Sequence, residues 1–257
     1  MRKNSDCRND VEIVGTITSE PKEENTFKGT TFYNIDFKSR RLSGKYDHYT
    51  VRVTDSLLRD CDFLTVGSKV KIQGAIRTYT YINDENSIKK TRMFILVNTV
   101  TPVTADTQDF CSVSIKGFVC RVNEEREIND DNKITDFCIA CNRGAKSDYI
   151  QSIAWNGLSR FIQKDIMVGD VISCEGRVNS RTYNKFVEGS EEPIEIEVNE
   201  FCVATARFVK KGKAHLIKDG EWVEPEKDVE KTEEVAAEVV EADVEAEVEE
   251  TDADVQE

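Results

Sequence analysis

Three, five and seven residues beyond Gly74 the chain places Arg77, Tyr79 and Tyr81; the same distances beyond Gly176 give Asn179, Arg181 and Tyr183. Alternate residues of a strand share a face. The first set therefore puts a guanidinium beside two phenol rings and the second puts one beside a single ring, with Ile76 in one copy and Val178 and Ser180 in the other on the opposite side. Arginine reaches phosphate oxygens, and an aromatic ring stacks on a nucleobase for about 1–3 kcal/mol per base. The pattern suits a flexible polyanion of flat bases, and since every base has a π face such contact is tolerant of sequence. Tyrosine is also favoured in strands for packing alone; the recurrence of the same parity in two places is what favours a shared surface.

Other chemistry finds no support. There is no phosphate loop and no Gly-x-Ser-x-Gly elbow, and His48 and His215 have no evident catalytic partners. Cys138 and Cys141 have C-x-x-C spacing, yet no second pair or nearby histidine completes a zinc site, and on a strand the two side chains face opposite ways. The eight cysteines lie mostly in apolar runs and read as reduced core residues. The expectation is a binding protein, not an enzyme, with no cofactor and no metal.

The elements that position these residues recur at an interval of about 102 residues, a length suited to duplicated small β domains. Each copy opens with an alternating strand carrying a central glycine, residues 11–17 with Gly15 and residues 113–119 with Gly117. Each later has Val-Gly, a strand and a second glycine, from Gly67 to Gly74 and from Gly169 to Gly176, seven residues apart in both. Each closes with an apolar strand, 93–97 and 194–198, and carries one helical segment, 56–60 and 158–162. A mid-strand glycine permits the coiling or bulge that wraps a short sheet into a barrel. The predicted fold is all-β: two tandem five-stranded OB-fold barrels, each with one short helix, plus a disordered acidic C-terminal tail. An SH3-like barrel is the structural rival.

Of 257 residues, 39% are hydrophobic, and 49 acidic side chains face 35 basic ones. The excess is not spread evenly. Residues 1–104, the first domain, hold 17 basic and 13 acidic groups, and residues 105–210, the second, hold 13 and 18. Residues 211–257 hold 5 and 18. The tail thus accounts for nearly all of the net charge of -14, which does not argue against a nucleic-acid surface on the rest. A short hairpin is predicted around Asp219-Gly220, and beyond Pro225 the Glu, Val, Ala and Asp composition is too poor in large apolar groups to fold alone. No apolar window is long enough for a membrane span and the first six residues offer no signal-peptide stretch; a soluble, cytoplasmic protein without membrane contact is expected.

The second copy reads Asp136-Phe137-Cys138-Ile139-Ala140-Cys141-Asn142-Arg143, then Asp148-Tyr149 through Trp155-Asn156-Gly157-Leu158, then Val168-Gly169 through Gly176-Arg177-Val178-Asn179-Ser180-Arg181-Thr182-Tyr183. In order and spacing this resembles the bacterial single-stranded DNA-binding protein family, over about residues 111 to 205. The resemblance implies base stacking by Tyr149, by Trp155 six residues later, and by Tyr183, with Arg143 and Arg181 at positions often basic in the family. The residues Tyr149, Ile153 and Trp155 also fit an inward-facing set. Asn179 stands where the family usually has arginine. The first copy resembles the family only loosely, but its basic balance makes Arg40, Arg41, Lys45, Arg52 and Arg77, with Tyr46, candidates for strand contact.

The resemblance implies binding and protection of single-stranded DNA during replication, recombination or repair. Four OB domains per assembly are usual in the family, which implies a homodimer here. Acidic tails in the family dock replication and repair proteins through a hydrophobic tip; this chain ends Asp252-Ala253-Asp254-Val255-Gln256-Glu257 without one, leaving competition between tail and DNA for the basic grooves as the tail's expected role. An OB-fold adaptor in a primosome-like or phage assembly, and a single-stranded RNA binder, are the alternatives.

Overall fold

The computed structural model describes residues 7–81, 91–129, 131–182 and 198–212, and the backbone alone of residues 82, 89–90, 183–185, 194–197, 217–218 and 221–222. The chain runs through β1 (Arg8–Ile17), β2 (Lys22–Phe27), β3 (Thr30–Arg40), β4 (Tyr46–Thr54), α1 (Asp55–Asp60), β5 (Lys69–Ile82) and β6 (Lys89–Pro102). The second copy repeats this as β7 (Phe110–Val122), β8 (Arg126–Asn129), β9 (Asn132–Arg143), β10 (Lys146–Trp155), α2 (Asn156–Asp165), β11 (Val171–Lys185) and β12 (Ile194–Lys210). In the first copy β1 pairs with β3 and β5, β3 with β4, β4 with β6 in parallel, and β6 with β5, closing a five-stranded barrel. The corresponding pairings close the second. This is the OB topology expected from the sequence. The short strands β2 and β8 were not expected; each folds back as a hairpin on the barrel strand that follows it.

Alternation fills the barrels. Ile13, Ile35, Phe37, Val51, Ile72, Ile76 and Ile95 are buried in the first, and Ile115, Phe137, Ile139, Ile150, Cys174 and Phe201 in the second, each apolar side chain contributing about 1.5–3 kcal/mol relative to exposure. Two glycine positions per barrel are required by close approach. A methyl group at Gly15 would lie 2.2 Å from the Lys38 carbonyl oxygen, and one at Gly74 would lie 2.2 Å from that of Leu96. Gly117 and Gly176 are confined likewise by Ala140 and Cys202. At Gly74 and Gly176 the ladder also shifts register, the bulge by which the strand bends into both walls of the barrel. Helix α1 is capped by Thr54, whose hydroxyl accepts from the Leu57 amide at 3.2 Å, whereas α2 starts behind Trp155 without a side-chain cap.

The barrels join through β1 and β7, antiparallel with Val11 opposite Val113 at the centre, so that β1 to β12 form one 12-stranded sheet. Val11 and Val113 are each other's repeat equivalents, and the contacts around them obey an approximate twofold axis. The Ser39 hydroxyl donates to the Val14 carbonyl, and the Cys141 thiol to that of Lys116. The Arg40 amide donates to the Asp109 carboxylate, and the Asn142 amide to the Cys7 sulfur. The pseudo-symmetry is a direct consequence of the duplication.

The described cysteines are all free, and most are buried. Cys138 and Cys141 meet different neighbours, Gln151 and the Arg8 and Lys116 carbonyls. Cys120 is the exposed one, displaced where β7 shifts register against β9 between Val119 and Arg121. Ile217–Lys218 and Glu221–Trp222 pair antiparallel on either side of Asp219-Gly220, as the turn signal suggested. The disorder expected beyond Pro225 lies outside the described residues.

Candidate nucleic-acid interface

The bulge at Gly74 sends β5 outward beside β6, with Arg77 opposite Phe94 and Tyr79 opposite Arg92. Directly opposed residues share a face, and here that face carries a chain of rings and cations. The Arg52 guanidinium lies 4.0 Å from the Phe94 ring centre, Phe94 and Tyr79 centres are 6.0 Å apart, Tyr79 and Tyr81 are 6.0 Å apart, and Arg92 lies 5.2 Å from Tyr81. The aromatic pairs are tilted, which suits ring quadrupoles, and cations over ring faces hold the ends. Tyr79 is 36% exposed. Phe94 and Arg92 were not singled out in the sequence. Counting outward from Gly74 to its bulge partner on β6 would have placed them, but that partner is visible only in the pairing.

The junction brings the second barrel to the edge of this hairpin. The Tyr149 amide donates to the Thr78 hydroxyl at 2.8 Å, and Tyr149 itself is 49% exposed. The twofold counterpart is the His48 amide donating to the Ser180 hydroxyl at 2.8 Å. Each outer hairpin is therefore met by a strand of the other barrel: β5–β6 by Tyr149 on β10, and β11–β12 by His48 on β4. Tyr46, 46% exposed with the Lys38 ammonium 5.0 Å from its ring, lies two residues from His48.

Beneath these rings two carboxylates pin the barrels together. Asp47 accepts the Ser180 amide at 2.7 Å and the Arg41 Nε at 2.9 Å. Asp148 accepts the Thr78 amide through Oδ1 at 3.1 Å, while Oδ2 takes both Arg77 Nη1 at 3.2 Å and Arg143 Nε at 3.4 Å. Both carboxylates are buried. Hydrogen bonding to Asp47 holds the Arg41 pKa above its usual value. Burial lowers that of Arg77, with Asp148 opposing the shift and the nearby Arg143 charge adding to it. The Tyr49 hydroxyl donates to the Val178 carbonyl across the junction, and burial raises its pKa.

The candidate residues from the sequence thus fall into distinct surroundings. Tyr79, Tyr81 and Tyr149 gather around one hairpin. Arg41 and Arg77 are partly buried in ion pairs at the junction, and Arg143 joins them with half its side chain exposed. Arg52 is tied to Asn34 and Glu24 beneath the ring chain. Arg181 pairs with Glu200 at 3.0 Å. Arg40 and Lys45 are exposed near Tyr46. Trp155 is half-buried against a small cluster of Ile134, Ile153 and Cys202. The Tyr183 side chain lies outside the described residues. Among the described residues no cluster of three His, Cys, Asp or Glu side chains is placed to hold a metal ion, and no helix is long and apolar enough to cross a membrane.

Residues 110–204 match the model of the single-strand binding protein family. The match spans the second barrel. Among solved structures, the wild-type single-stranded DNA binding protein from Thermus aquaticus is similar at a TM-score of 0.63 and 15% identity, covering 80% of this chain and 95% of that one. A variant of the same protein with a deletion and an arginine-to-alanine change gives 0.63 and 15% over 80% and 97%. At this identity the likeness is one of fold, and it extends across both barrels. The dimeric N-terminal domain of PriB protein from Thermoanaerobacter tencongensis gives a TM-score of 0.32 at 25% identity over 37% of this chain and 97% of that one. Comparison with curated proteins found no match.

Proposed function

We propose that this protein binds single-stranded DNA with little sequence preference, stacking bases on the rings of two composite surfaces and holding phosphates with the arginines and lysines around them. The observation that carries the reading is the chain Phe94, Tyr79 and Tyr81 on an exposed hairpin, flanked by Arg52 and Arg92 and joined at the barrel junction by Tyr149. Rings at about 6 Å spacing beside fixed cations are what an unpaired strand uses and a duplex, whose bases are already stacked, does not. The family assignment of the second barrel supports the same ligand. Within this reading residues 1–104 and 105–210 are two binding domains, residues 211–257 compete with DNA for the basic surface, and the chain acts without catalysis to protect strands exposed in replication, recombination or repair. Two chains, giving four OB folds, would form the working assembly, in the cytoplasm at the nucleoid.

Anisotropy of a labelled oligothymidine, titrated with the full chain at two salt concentrations, tests the proposal. Saturable binding that weakens with salt, and that labelled duplex of equal length fails to reproduce, is expected. An equal preference for duplex, or no binding at low salt, overturns it; a stronger response to oligouridine reassigns the ligand to RNA. Light scattering showing a monomer at micromolar concentration removes the homodimer.

A further inference from the structure

Beside Asp148 lies a solvent-open cavity of about 150 Å³, lined by Arg8 at the start of β1, Arg77 on β5, Arg143 at the end of β9, and the Asp148 carboxylate. Two guanidiniums converge on one carboxylate oxygen, Oδ2, and the other oxygen is taken by the Thr78 amide. Asp148 can therefore neutralise only one of them. The Arg77 Nε is buried without a hydrogen-bond partner, and Arg8 adds a third positive group, 61% exposed and paired with Asp10 at the rim. At the twofold-related place the sequence has Phe110 for Arg8, Asn179 for Arg77 and Asp109 for Cys7, with Arg40, Arg41 and Asp47 completing the set. With the pairs Arg8–Asp10 and Lys69–Asp109 counted, each side carries +1; the first differs in that all three of its cations are guanidiniums and two of them share one carboxylate oxygen.

We propose that this cavity is an oxyanion site that takes a single phosphate group. Forked donors at Arg8, Arg77 and Arg143 match the geometry of phosphate oxygens, and an anion relieves the repulsion between Arg77 and Arg143. Asp148 precedes Tyr149, and Arg77 lies two residues before Tyr79 on the same face. A phosphate here sits where the strand would cross from the ring of one barrel to those of the other. Assigning the phosphate to a phosphodiester link rests on the single-strand reading above; a free phosphate ion would satisfy the same donors.

The test uses the full chain and two variants at half-exposed side chains, Arg8→Gln and Arg143→Gln. In one arm, Tm is measured in inorganic phosphate and in chloride at equal ionic strength and pH. In the other, oligothymidine affinity is measured against salt. A phosphate-specific rise in Tm that the variants lose supports the site. A fall of about one in the magnitude of the log–log salt slope for either variant supports it with the strand as the source. Equal Tm in the two salts, together with wild-type slope in both variants, overturns it. Should oligothymidine fail to bind the wild-type chain, the single-strand reading falls, and the Tm arm still decides the cavity.

Discussion

The two sides of the barrel junction occupy equivalent positions of the repeat and hold different chemistry. Asp47 and Asp148 occupy equivalent strands, accept equivalent backbone amides across the axis, and are braced by the equivalent Arg41 and Arg143. Only Asp148 receives a second guanidinium, Arg77; its counterpart Asn179 is left with a buried Oδ1 lacking a partner. The surfaces above differ in the same sense, with a chain of rings on β5–β6 against Arg181 paired to Glu200 on β11–β12. The two copies share the backbone contacts that hold the barrels and differ in the side chains around them. One side gathers the ring chain and a second guanidinium on its carboxylate, although the family match lies on the other barrel.

The largest effect should come from the carboxylates. Asp148→Ala leaves two guanidiniums partly buried and uncompensated, and is expected to lower stability by about 3–5 kcal/mol, read as a shift of the urea midpoint. Asp47→Ala strands only Arg41 and should cost less; an equal or larger loss there would mean that the asymmetry in pairing is not one in energy. Tyr79→Ala should next weaken oligothymidine binding by about 1–3 kcal/mol with stability little changed. His48→Ala, at the equivalent of Tyr149 on the other side, should weaken binding less than Tyr149→Ala does, and the reverse order would place the stronger surface on β11–β12. Thr54→Ala should cost about 1 kcal/mol by uncapping α1, whereas α2, without a side-chain cap, has no such contribution to lose at Trp155.

The smallest effect is chemical. A hydrogen bond with Cys138 lowers the Cys120 thiol to about 7, burial opposes the shift and the Arg121 charge assists it, while the same contact and burial push Cys138 up. Cys120 should be the thiol that iodoacetamide alkylates fastest. Because the thiolate is the nucleophile, its rate should be near its plateau above pH 8 and fall as pH drops through about 7. Peptide mapping that finds Cys7 or Cys111 reacting faster at pH 7.5 would contradict this. The first barrel has Thr18 at the corresponding position and should show no reactivity there.

Much of this architecture could be read from the repeat. Gly15, Gly74, Gly117 and Gly176 mark the bends because no side chain fits beside the facing carbonyl, and such constraints leave a residue signature. The parity of Arg77, Tyr79 and Tyr81 likewise placed three side chains on one face without coordinates. What stayed hidden depends on contacts between distant residues. Asp47 and Asp148 look like ordinary strand-edge charges until the opposite barrel closes over each. Arg52 and Arg77 resemble free cations until their partners, Glu24 and Asp148, are seen. Phe94 reads as core in an apolar run, and only its place opposite Arg77, between the inward Ile95 and the hairpin's outer end, shows that it faces the ring chain.

The account depends most on one strand running across both barrels, over the β5–β6 rings and Tyr149. Oligothymidine carrying photoreactive 5-iodouracil, cross-linked to the full chain and mapped by peptide sequencing, addresses this directly. Adducts on Tyr79, Tyr81 or Phe94 and on Tyr149 within a single complex are expected. Adducts confined to one barrel, or absent from all four rings, would contradict the composite surface.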